Sequence, residues 1–485
     1  WNKFFPDVPM KYFSFFRNYV VFADSQKTIE TFLYNNVLKR TMENQSYYSS
    51  FIENFAYEEN IFVFTEIPHL YPFIQDDLNP DLFHPTDEQK KALFNFYAAG
   101  LQVSADSELS YSTAYAQHAP HRDKEPRTIW QSRIDSMVAM KPALVENHYN
   151  EEKEILVQDE AHNLYLINNQ GRVLWKRTLD GPVISEIHQI DYYRNNKLQY
   201  LFNTPDKLYL LDRNGNHVAR YPFDLPSRAT NGVAVFDYND NRNYRIFIAL
   251  EDRKIYLFDK TGSRVSGWKI PSTEGIVRQP VQYFQTSGKD YIVFGDRYRN
   301  YIMDRRGNHR VTPQQSFRRN EKSPFFLEYP DSEKAALVTT TSDGSLARIM
   351  LPSGRTTIQE NTSIDQGDEH AFLLLYDNDP KYVLINKDEM AIYGPDSELL
   401  ASTEFDKPMT VNGDLYRFSS RNHKIGMIDS ARSSIFLYNQ DGTLYKGFPL
   451  KGTSRFSIGF LESSAYRFNL VTGGENNYLY NYRVE

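Results

Sequence analysis

The chain has 485 residues, 24% of them charged and 40% hydrophobic, which is enough apolar sequence for a large core and for two or three domains. It contains no cysteine, and this excludes disulfides, thiol catalysis, zinc–thiolate sites and iron–sulfur clusters within the chain. The formal net charge of −7 argues against a general nucleic-acid-binding protein, because such proteins carry an excess of Lys and Arg.

The first part of the chain, residues 1–117, mixes helix and strand signals. The predicted elements are strands at 19–23 and 60–65, helices at 25–42 and 86–98, and a β-hairpin over 100–117. The second helix opens with Thr86 and Gln89, a capping-box pattern. We therefore predict a small α+β domain, followed by a polar linker at 118–127 that contains two prolines. The sequence begins as if inside a domain, so we expect this domain to be partial and the natural chain to extend upstream.

A strand-like run that ends in a polar turn recurs through the rest of the chain. Seven copies, such as NLYLINNQG and KLYLLDRNG, end at turn positions Gly171, Gly215, Gly262, Gly307, Gly354, Ser397 and Gly442. An eighth copy, YLYNYRVE, ends at Glu485. The spacing of about 45 residues is typical of a four-stranded blade of a β-propeller, and hydrophobic runs around each copy supply the other strands.

The last copy has no residues left for a fourth strand. The segment TIWQSRI at 128–134 matches VLWKRTL of the first copy, with Trp130 corresponding to Trp175. We interpret it as the missing outer strand, which closes the ring and removes an exposed sheet edge. The fold is therefore predicted to be mainly β, with an eight-bladed β-propeller over residues 128–485; seven blades are the alternative.

Two segments carry a resemblance to known proteins. HQIDYYRNNKLQYLFNTPDKLYLLDRNG and NGVAVFDYNDNRNYRIFIALEDRKIYLFDKTGSRVSGW resemble a group of uncharacterised Bacteroidetes-type proteins, which are membrane-anchored and extracytoplasmic and carry a domain of unknown function ahead of a propeller. Asn168, Gly171 and Trp175 match three positions of the quinoprotein (PQQ-like) repeat pattern. The same repeat occurs in the propeller lipoprotein of the outer-membrane β-barrel assembly machinery, which binds partners and is not an enzyme.

The resemblance implies a location and a partner. It places the protein outside the cytoplasm, in the periplasm or cell envelope, with an anchor upstream of this sequence as its only link to the membrane. Another envelope protein is the expected partner, and nucleic acid is not expected to bind.

No catalytic motif stands in a fitting context. There is no Ser–His–Asp order, P-loop or dinucleotide Gly motif between a strand and a helix, and a quinone-dependent dehydrogenase would, by resemblance, require a vicinal cysteine pair. We predict a non-enzymatic binding or scaffold module without a cofactor. The alternative is an envelope enzyme that acts on a carbohydrate or peptide at the channel mouth, which clustered carboxylates there would support.

Two further patterns carry charge or oxygen ligands. Asp237, Asn239 and Asn241 alternate like the ligands of a calcium loop, but Arg245 stands where a carboxylate is expected, so turns in exposed loops are the better interpretation. Between Gly295 and Lys322, eight basic residues face three acidic ones. This run either faces an anionic partner or lipid headgroups, or is a solvated surface.

The first strand of each blade is expected to line the central channel, and a polar residue precedes each of these strands. These residues are Lys141, Ser185, Asn231, Gln279, Ser323, His370, Asn412 and Arg455. We predict that they are exposed and converge on one end of the channel, and that any ligand there contacts at least His370 or Lys141. The alternative is a hydrated mouth where they satisfy one another and water.

Overall fold

In the computed structural model the described residues are 11–17, 19–37, 41–42, 48, 51–52, 54–55, 60–67, 86, 89, 93, 96–105, 110–118, 128–360, 369–376, 379–462 and 468–484. The chain divides into two compact units, Trp1–Glu125 and Pro126–Glu485. Apart from His118, the predicted linker lies outside the described residues. Among the described helices, none is both long and apolar enough to cross a membrane.

The first unit contains a two-stranded sheet, a helix and a three-stranded antiparallel sheet. Its elements are β1 (Tyr12–Phe16), β2 (Tyr19–Ala23), α1 (Gln26–Val37), β3 (Ile61–Glu66), β4 (Phe96–Ala105) and β5 (Ser110–His118). The predicted cap of α1 is present, since the Thr28 amide donates to Ser25 Oγ at 3.2 Å. The predicted hairpin is also present as β4 and β5.

The predicted second helix begins as expected but does not reach its predicted end. The Thr86 amide donates to Gln89 Oε1 at 2.8 Å, and the Gln89 amide donates to Thr86 Oγ1 at 3.3 Å, which is the reciprocal capping box. The prediction that the helix continues to Ala98 is wrong, because β4 begins at Phe96. As the central strand, β4 hydrogen-bonds to β3 and β5 on both edges, and this tertiary pairing overrides the helical preference of its alanines.

The second unit begins with β6 (Thr128–Arg133) and continues with antiparallel sheets of consecutive strands, numbered here in chain order. Sheet 1 consists of β7 (Ala143–Glu146), β8 (Lys153–Gln158), β9 (Asn163–Ile167) and β10 (Val173–Thr178), and sheet 2 consists of β11 (His188–Ile190), β12 (Gln199–Asn203), β13 (Lys207–Leu211) and β14 (Phe223–Asp224). Sheet 3 consists of β15 (Ala234–Phe236), β16 (Arg245–Ala249) and β17 (Ile255–Asp259). Sheet 4 consists of β18 (Gln282–Thr286), β19 (Lys289–Gly295), β20 (Asn300–Met303) and β21 (His309–Val311).

Four more sheets follow, and the last of them includes β6. Sheet 5 consists of β22 (Phe326–Glu328), β23 (Ala336–Thr340), β24 (Leu346–Met350) and β25 (Thr356–Gln359), and sheet 6 consists of β26 (Ala371–Tyr376), β27 (Pro380–Ile385), β28 (Glu389–Tyr393) and β29 (Leu399–Glu404). Sheet 7 consists of β30 (Asp414–Ser419), β31 (Asn422–Asp429), β32 (Ser434–Asn439) and β33 (Leu450–Lys451). Sheet 8 consists of β34 (Ser457–Gly459), β35 (Phe468–Gly473), β36 (Tyr478–Val484) and β6. Short 3₁₀ turns occupy Ser430–Arg432 and Glu475–Asn477.

The burial of the strands explains their composition. The middle strands are buried along nearly their whole length, as in β9 with the sequence NLYLI, because a neighbouring sheet covers each of their faces. The fourth strands alternate between exposed and half-buried positions, as in β10. The sheets therefore stand face to face with their fourth strands outside.

Hydrophobic clusters join each sheet to the next and the last sheet to the first. Leu164 of sheet 1 and Phe202 of sheet 2 share one cluster, and equivalent clusters follow around the unit. Trp130 and Val471 of sheet 8 share a cluster with Ile155 of sheet 1. The sheets thus form a closed ring, and the fold is a β-propeller. Eight blades remain the prediction that the eight described sheets support.

The seam of the ring lies between β6 and β36, which pair antiparallel from Arg133 and Tyr478 to Thr128 and Tyr482. On β6, Trp130 Nε1 donates to the Asn169 carbonyl at 2.8 Å, and the indole covers Gly171. Gly171 has a φ of +84°, and a Cβ at this position would lie 2.8 Å from the indole. Glycine is therefore required both by the turn and by the tryptophan that packs on it.

Candidate binding site at the channel mouth

The first strands of neighbouring sheets contact one another directly. The Glu146 amide donates to Gln189 Oε1 at 2.7 Å, and Gln189 Nε2 donates to the Glu146 carbonyl at 2.9 Å. Ser457 Oγ donates to the Pro142 carbonyl at 2.6 Å. Because sheets in a ring approach one another most closely at the axis, these contacts show that the first strands line the channel.

Three of the predicted mouth residues tie the incoming chain to the second strand of their own sheet. Ser185 Oγ accepts a hydrogen bond from the Asn203 amide at 3.1 Å. Asn231 Oδ1 accepts one from Ala249 at 3.0 Å, and Asn412 Oδ1 accepts one from Ile428 at 2.9 Å. The sequence pattern of polar residues before apolar strands therefore has a structural cause at these positions, since each side chain satisfies a backbone donor near the end of a strand.

Gln279 links neighbouring sheets at the same level. Asn231 Nδ2 donates to the Gln279 carbonyl at 2.8 Å, and Gln279 Nε2 donates to the Lys322 carbonyl at 3.0 Å. These bonds connect the chain segments that enter sheets 3, 4 and 5. At this part of the mouth the polar side chains hold the entering segments together.

Two other predicted residues are fully buried. Ser323 Oγ lies 2.6 Å from Thr340 Oγ1, which lies 2.8 Å from His370 Nε2. The exposed fraction of His370 is only 1%, so the prediction that it is an exposed ligand contact is wrong. Burial of polar groups is tolerated here because they form a continuous hydrogen-bonded chain between sheets 5 and 6.

Lys141 and Arg455 converge on a carboxylate that the sequence pattern did not single out. Lys141 Nζ lies 3.0 Å from Asp414 Oδ1, Arg455 Nε lies 2.9 Å from Asp414 Oδ2, and a second guanidinium nitrogen of Arg455 contacts Oδ1. Lys141 precedes sheet 1, Arg455 precedes sheet 8 and Asp414 begins β30 of sheet 7. Lys141 thus reaches past sheet 8, which places these three residues, the Asp414 cluster, at the channel mouth.

Backbone hydrogen bonds show which residues occupy equivalent positions in the segments that enter the sheets. The amides of Ala139, Ile184 and Thr453 donate to the carbonyls of Gln158, Asn203 and Gly473, respectively, at the ends of the second strands. Met140, Ser185 and Ser454 are therefore equivalent, and Ser454 Oγ accepts from the Gly473 amide at 2.8 Å as Ser185 does from Asn203.

Lys141, Glu186 and Arg455 follow those positions by one residue. The charge of Glu186 also favours the ionised form of Arg455. Aligning the segments that enter the sheets on the small polar residue, such as Ser185 or Ser454, and then examining the charged residue after it would have identified Glu186. Asp414 lies at the start of its strand and carries no such signal in a single sequence.

Asp414 and Arg455 each stabilise the charged form of the other. Burial favours a higher pKa for the Asp414 carboxyl, but the hydrogen bond from Arg455 and the charges of Lys141 and Arg455 outweigh it, so the pKa lies below its usual range. The hydrogen bond with Asp414 raises the pKa of Arg455. Such a carboxylate is unsuited to general acid catalysis near pH 7, which requires a pKa near the working pH.

A cavity of 370 Å³ adjoins the predicted mouth residues of sheets 2 to 4. Its lining includes Ile184, Arg228, Asn231, Gly232, Glu251 and Arg278. The Asn231 side chain is already bonded to Ala249 and Gln279, so the exposed charged groups of this cavity are the two arginines and Glu251. The volume is at the small end of the range for ligand pockets.

The calcium-like pattern at residues 237–241 forms a turn. The Asp237 carboxylate accepts a hydrogen bond from the Arg242 amide, and Asn241 Oδ1 accepts one from the Asn243 amide at 3.1 Å. Asn239 is exposed. In the part of the chain that the structure describes, no group of three or more His, Asp or Glu residues is arranged to hold a metal ion.

Comparisons with known proteins find similarity among solved structures alone. No family model and no curated protein matches it. Among solved structures it is similar to BamB from Moraxella catarrhalis, with 13% identity over 74% of this chain and 97% of that chain and a TM-score of 0.47. It is also similar to a quinohemoprotein alcohol dehydrogenase from Comamonas testosteroni, with 9% identity over 73% and 76% and a TM-score of 0.48. BBS1N in complex with ARL6DN is a third similar structure, at 12% identity over 70% and 97% and a TM-score of 0.41.

Proposed function

We propose that the protein is a non-enzymatic binding propeller that holds a protein partner on the face containing the channel mouth. The observation that carries this proposal is the Asp414 cluster, which gathers charged side chains from the entries of sheets 7, 8 and 1 at one point. The side chains of Lys141 and Arg455 remain 31% and 52% exposed, so both cations are accessible while Asp414 holds them in place. Groups fixed in this way lose little freedom when a partner binds.

Binding fits this geometry better than the alternative, an envelope enzyme acting on a carbohydrate or peptide. Acid–base work on such substrates needs a carboxyl group that exchanges protons and can reach the substrate. Asp414 has both oxygens occupied by cations and a lowered pKa. A rigid polar mouth with satisfied side chains is suited to recognition.

The location and the identity of the partner rest on the sequence resemblance. We propose that the protein belongs to the membrane-anchored Bacteroidetes-type group, lies outside the cytoplasm and contacts another envelope protein. Fractionation of cells that express the complete gene tests this placement. A protein recovered in the cytoplasm would contradict it.

Site-specific photocrosslinking tests the binding face. A photoreactive amino acid is introduced at Ile184, which is 37% exposed and lines the mouth cavity, and at Leu174, which is 40% exposed on the outer strand β10. In cells of the natural host, we expect a protein adduct from position 184 and none from position 174. Absence of an adduct at 184, or equal adducts at both positions, would show that the mouth is not the binding face.

A further inference from the structure

The turn between β19 and β20 presents an arginine and a tyrosine on a fixed backbone. The buried Asp296 carboxylate accepts hydrogen bonds from the amides of Tyr298 and Arg299 at 2.7 and 2.8 Å through Oδ1, and from the Gly275 amide at 2.7 Å through Oδ2. Tyr298 is nevertheless 57% exposed. These hydrogen bonds therefore fix the backbone of the turn at Arg297 and Tyr298, while the tyrosine side chain stays exposed.

A second arginine lies beside this turn. The Arg319 amide donates to the Arg297 carbonyl at 3.1 Å, which brings the exposed neighbour Arg318 next to Arg297. Neither Arg297 nor Arg318 forms an ion pair with any residue in the described ranges 128–360, 369–376, 379–462 and 468–484. The surrounding cations are paired: Arg299 with Glu274 at 2.8 Å, Arg278 with Glu321 at 3.5 Å, and Lys322 with Glu369.

The buried Arg319 adds positive charge beneath the turn. It is only 2% exposed, donates to the Gly295 carbonyl at 3.2 Å and to the Ser323 carbonyl, and stacks over Phe325 at 4.5 Å. Burial lowers its pKa to about 10, so it remains a cation at neutral pH. The nearby carboxylate of Asp296 is already committed to backbone amides and to Tyr301.

The local charge is opposite in sign to that of the whole chain. Among the charged residues of the turn, Arg318, Arg319 and the three ion pairs just described, six cations stand against four anions, which gives +2 in a chain with a net charge of −7. The cations are Arg278, Arg297, Arg299, Arg318, Arg319 and Lys322, and the anions are Glu274, Asp296, Glu321 and Glu369. The excess corresponds to the two unpaired arginines at the surface.

We propose that Arg297, Tyr298 and Arg318, the Arg297 patch, dock an acidic segment of a protein partner. This inference rests on the proposed binding function and names the chemistry of the partner. Guanidinium groups bind carboxylates through paired hydrogen bonds, and Arg and Tyr are the residues that most often dominate protein interfaces. The fixed turn limits the ordering cost of binding.

The size and setting of the patch favour an acidic peptide over a membrane surface. Binding to anionic lipid uses a broad cluster of cations, typically four or more. Here two arginines form the charged part of the patch, and the carboxylates of Glu274 and Glu321 beside it are paired with Arg299 and Arg278. Two unpaired arginines therefore match a short acidic segment better than a broad anionic surface.

Fluorescence anisotropy with the complete chain and a labelled hexaglutamate peptide tests the inference. The test variant is Arg297→Glu/Arg318→Glu, and the matched control is Arg172→Glu/Arg220→Glu, which makes the same charge change at exposed arginines elsewhere. We expect binding that weakens with salt, is reduced about tenfold or more in the test variant, and changes less than about twofold in the control. If the test variant melts early, Arg297→Gln/Arg318→Gln replaces it.

Three outcomes would overturn the inference. They are no peptide binding, equal loss in the test and control variants, and binding to phosphatidylglycerol vesicles that depends on the patch while the peptide does not bind. The last outcome would identify a membrane contact. The proposed function is tested separately, because the photocrosslinking at position 184 leaves Arg297 and Arg318 unchanged; an adduct there without peptide binding would overturn this inference alone.

Discussion

Lys141 and Asp414 form a 3.0 Å ion pair between the entries of sheets 1 and 7, which are separated in the ring by sheet 8. Arg455, at the entry of sheet 8, binds the same carboxylate. One carboxylate therefore ties together the two sheets on either side of the one that contains the seam. This places Asp414 in a structural role as well as at the proposed binding mouth.

Replacing Asp414 with Asn is expected to lower the free energy of unfolding by about 1–3 kcal/mol at pH 7, because charge-assisted hydrogen bonds to two cations are lost. The carboxyl has a lowered pKa in the folded state, so its contribution is present above the unfolded pKa of about 4 and is lost as the pH falls through the folded pKa. Urea unfolding at pH 7 and pH 3 measures this.

The difference between wild type and Asp414→Asn should shrink at pH 3. Asp240→Asn, at an exposed turn position, is the control and should be neutral within about 0.5 kcal/mol. A difference that is the same at both pH values would show that the ionised carboxylate is not responsible.

Deleting residues 1–134 removes β6 and leaves β36 as an exposed edge. We expect a lower melting temperature and self-association, because an unpaired edge strand invites pairing with another chain. Deletion of residues 1–127 keeps β6 and is the matched control. Calorimetry and light scattering compare the two. If the shorter protein stays monomeric with the melting temperature of the control, β6 does not secure the ring.

Two glycine substitutions separate backbone strain from packing. Gly171 and Gly267 have φ values of +84° and +89°. A Cβ at Gly171 would lie 2.7 Å from Ser132 Oγ and 2.8 Å from the Trp130 indole, whereas a Cβ at Gly267 would meet nothing within 4 Å. We expect Gly267→Ala to cost about 1–2 kcal/mol from strain and Gly171→Ala roughly 1–3 kcal/mol more from overpacking. Equal losses in denaturant titrations would mean that Ser132 and the indole move aside without cost.

The buried His370 is expected to matter for stability. His370→Ala removes one of the two side-chain partners of Thr340 Oγ1 and leaves a space, so a loss of about 1–3 kcal/mol is expected in urea unfolding. His309→Ala, at an exposed position, should change stability by no more than about 0.5 kcal/mol. A neutral His370→Ala variant would show that its hydrogen-bonded chain adds little.

The propeller could be predicted from the sequence because the residues that form the turns, and the side chains that pack on them, can be recognised within the repeats themselves. Gly171 and Gly215 adopt positive φ in the turns, and Trp130 and Trp175 cover them in the same way. These residues recur at a regular spacing, so their pattern reveals the unit that repeats. The end of the helix before β4 could not be found in this way, because pairing with β3 and β5 decides it.

The site was less predictable because a polar residue before a strand can serve two different purposes. Ser185 turns inward to the backbone of its own sheet, and Glu186 follows it at the level of Lys141. A one-residue difference in register decides between the two roles, and apolar periodicity does not fix it. Asp414 became visible only when the ring brought sheets 1, 7 and 8 together.

The pairing of β6 with β36 has a mechanical consequence. Thr128 lies opposite Tyr482, so the first residue of β6 and the last residues of β36 meet at the same end of the seam. Tension between residue 128 and residue 484 would separate β6 from β36 by breaking one hydrogen bond at a time from that end. If the two strands were instead pulled along their length in opposite directions, all of the hydrogen bonds would bear the force together. A pull transmitted along the chain from the first unit would therefore open the ring at its seam first.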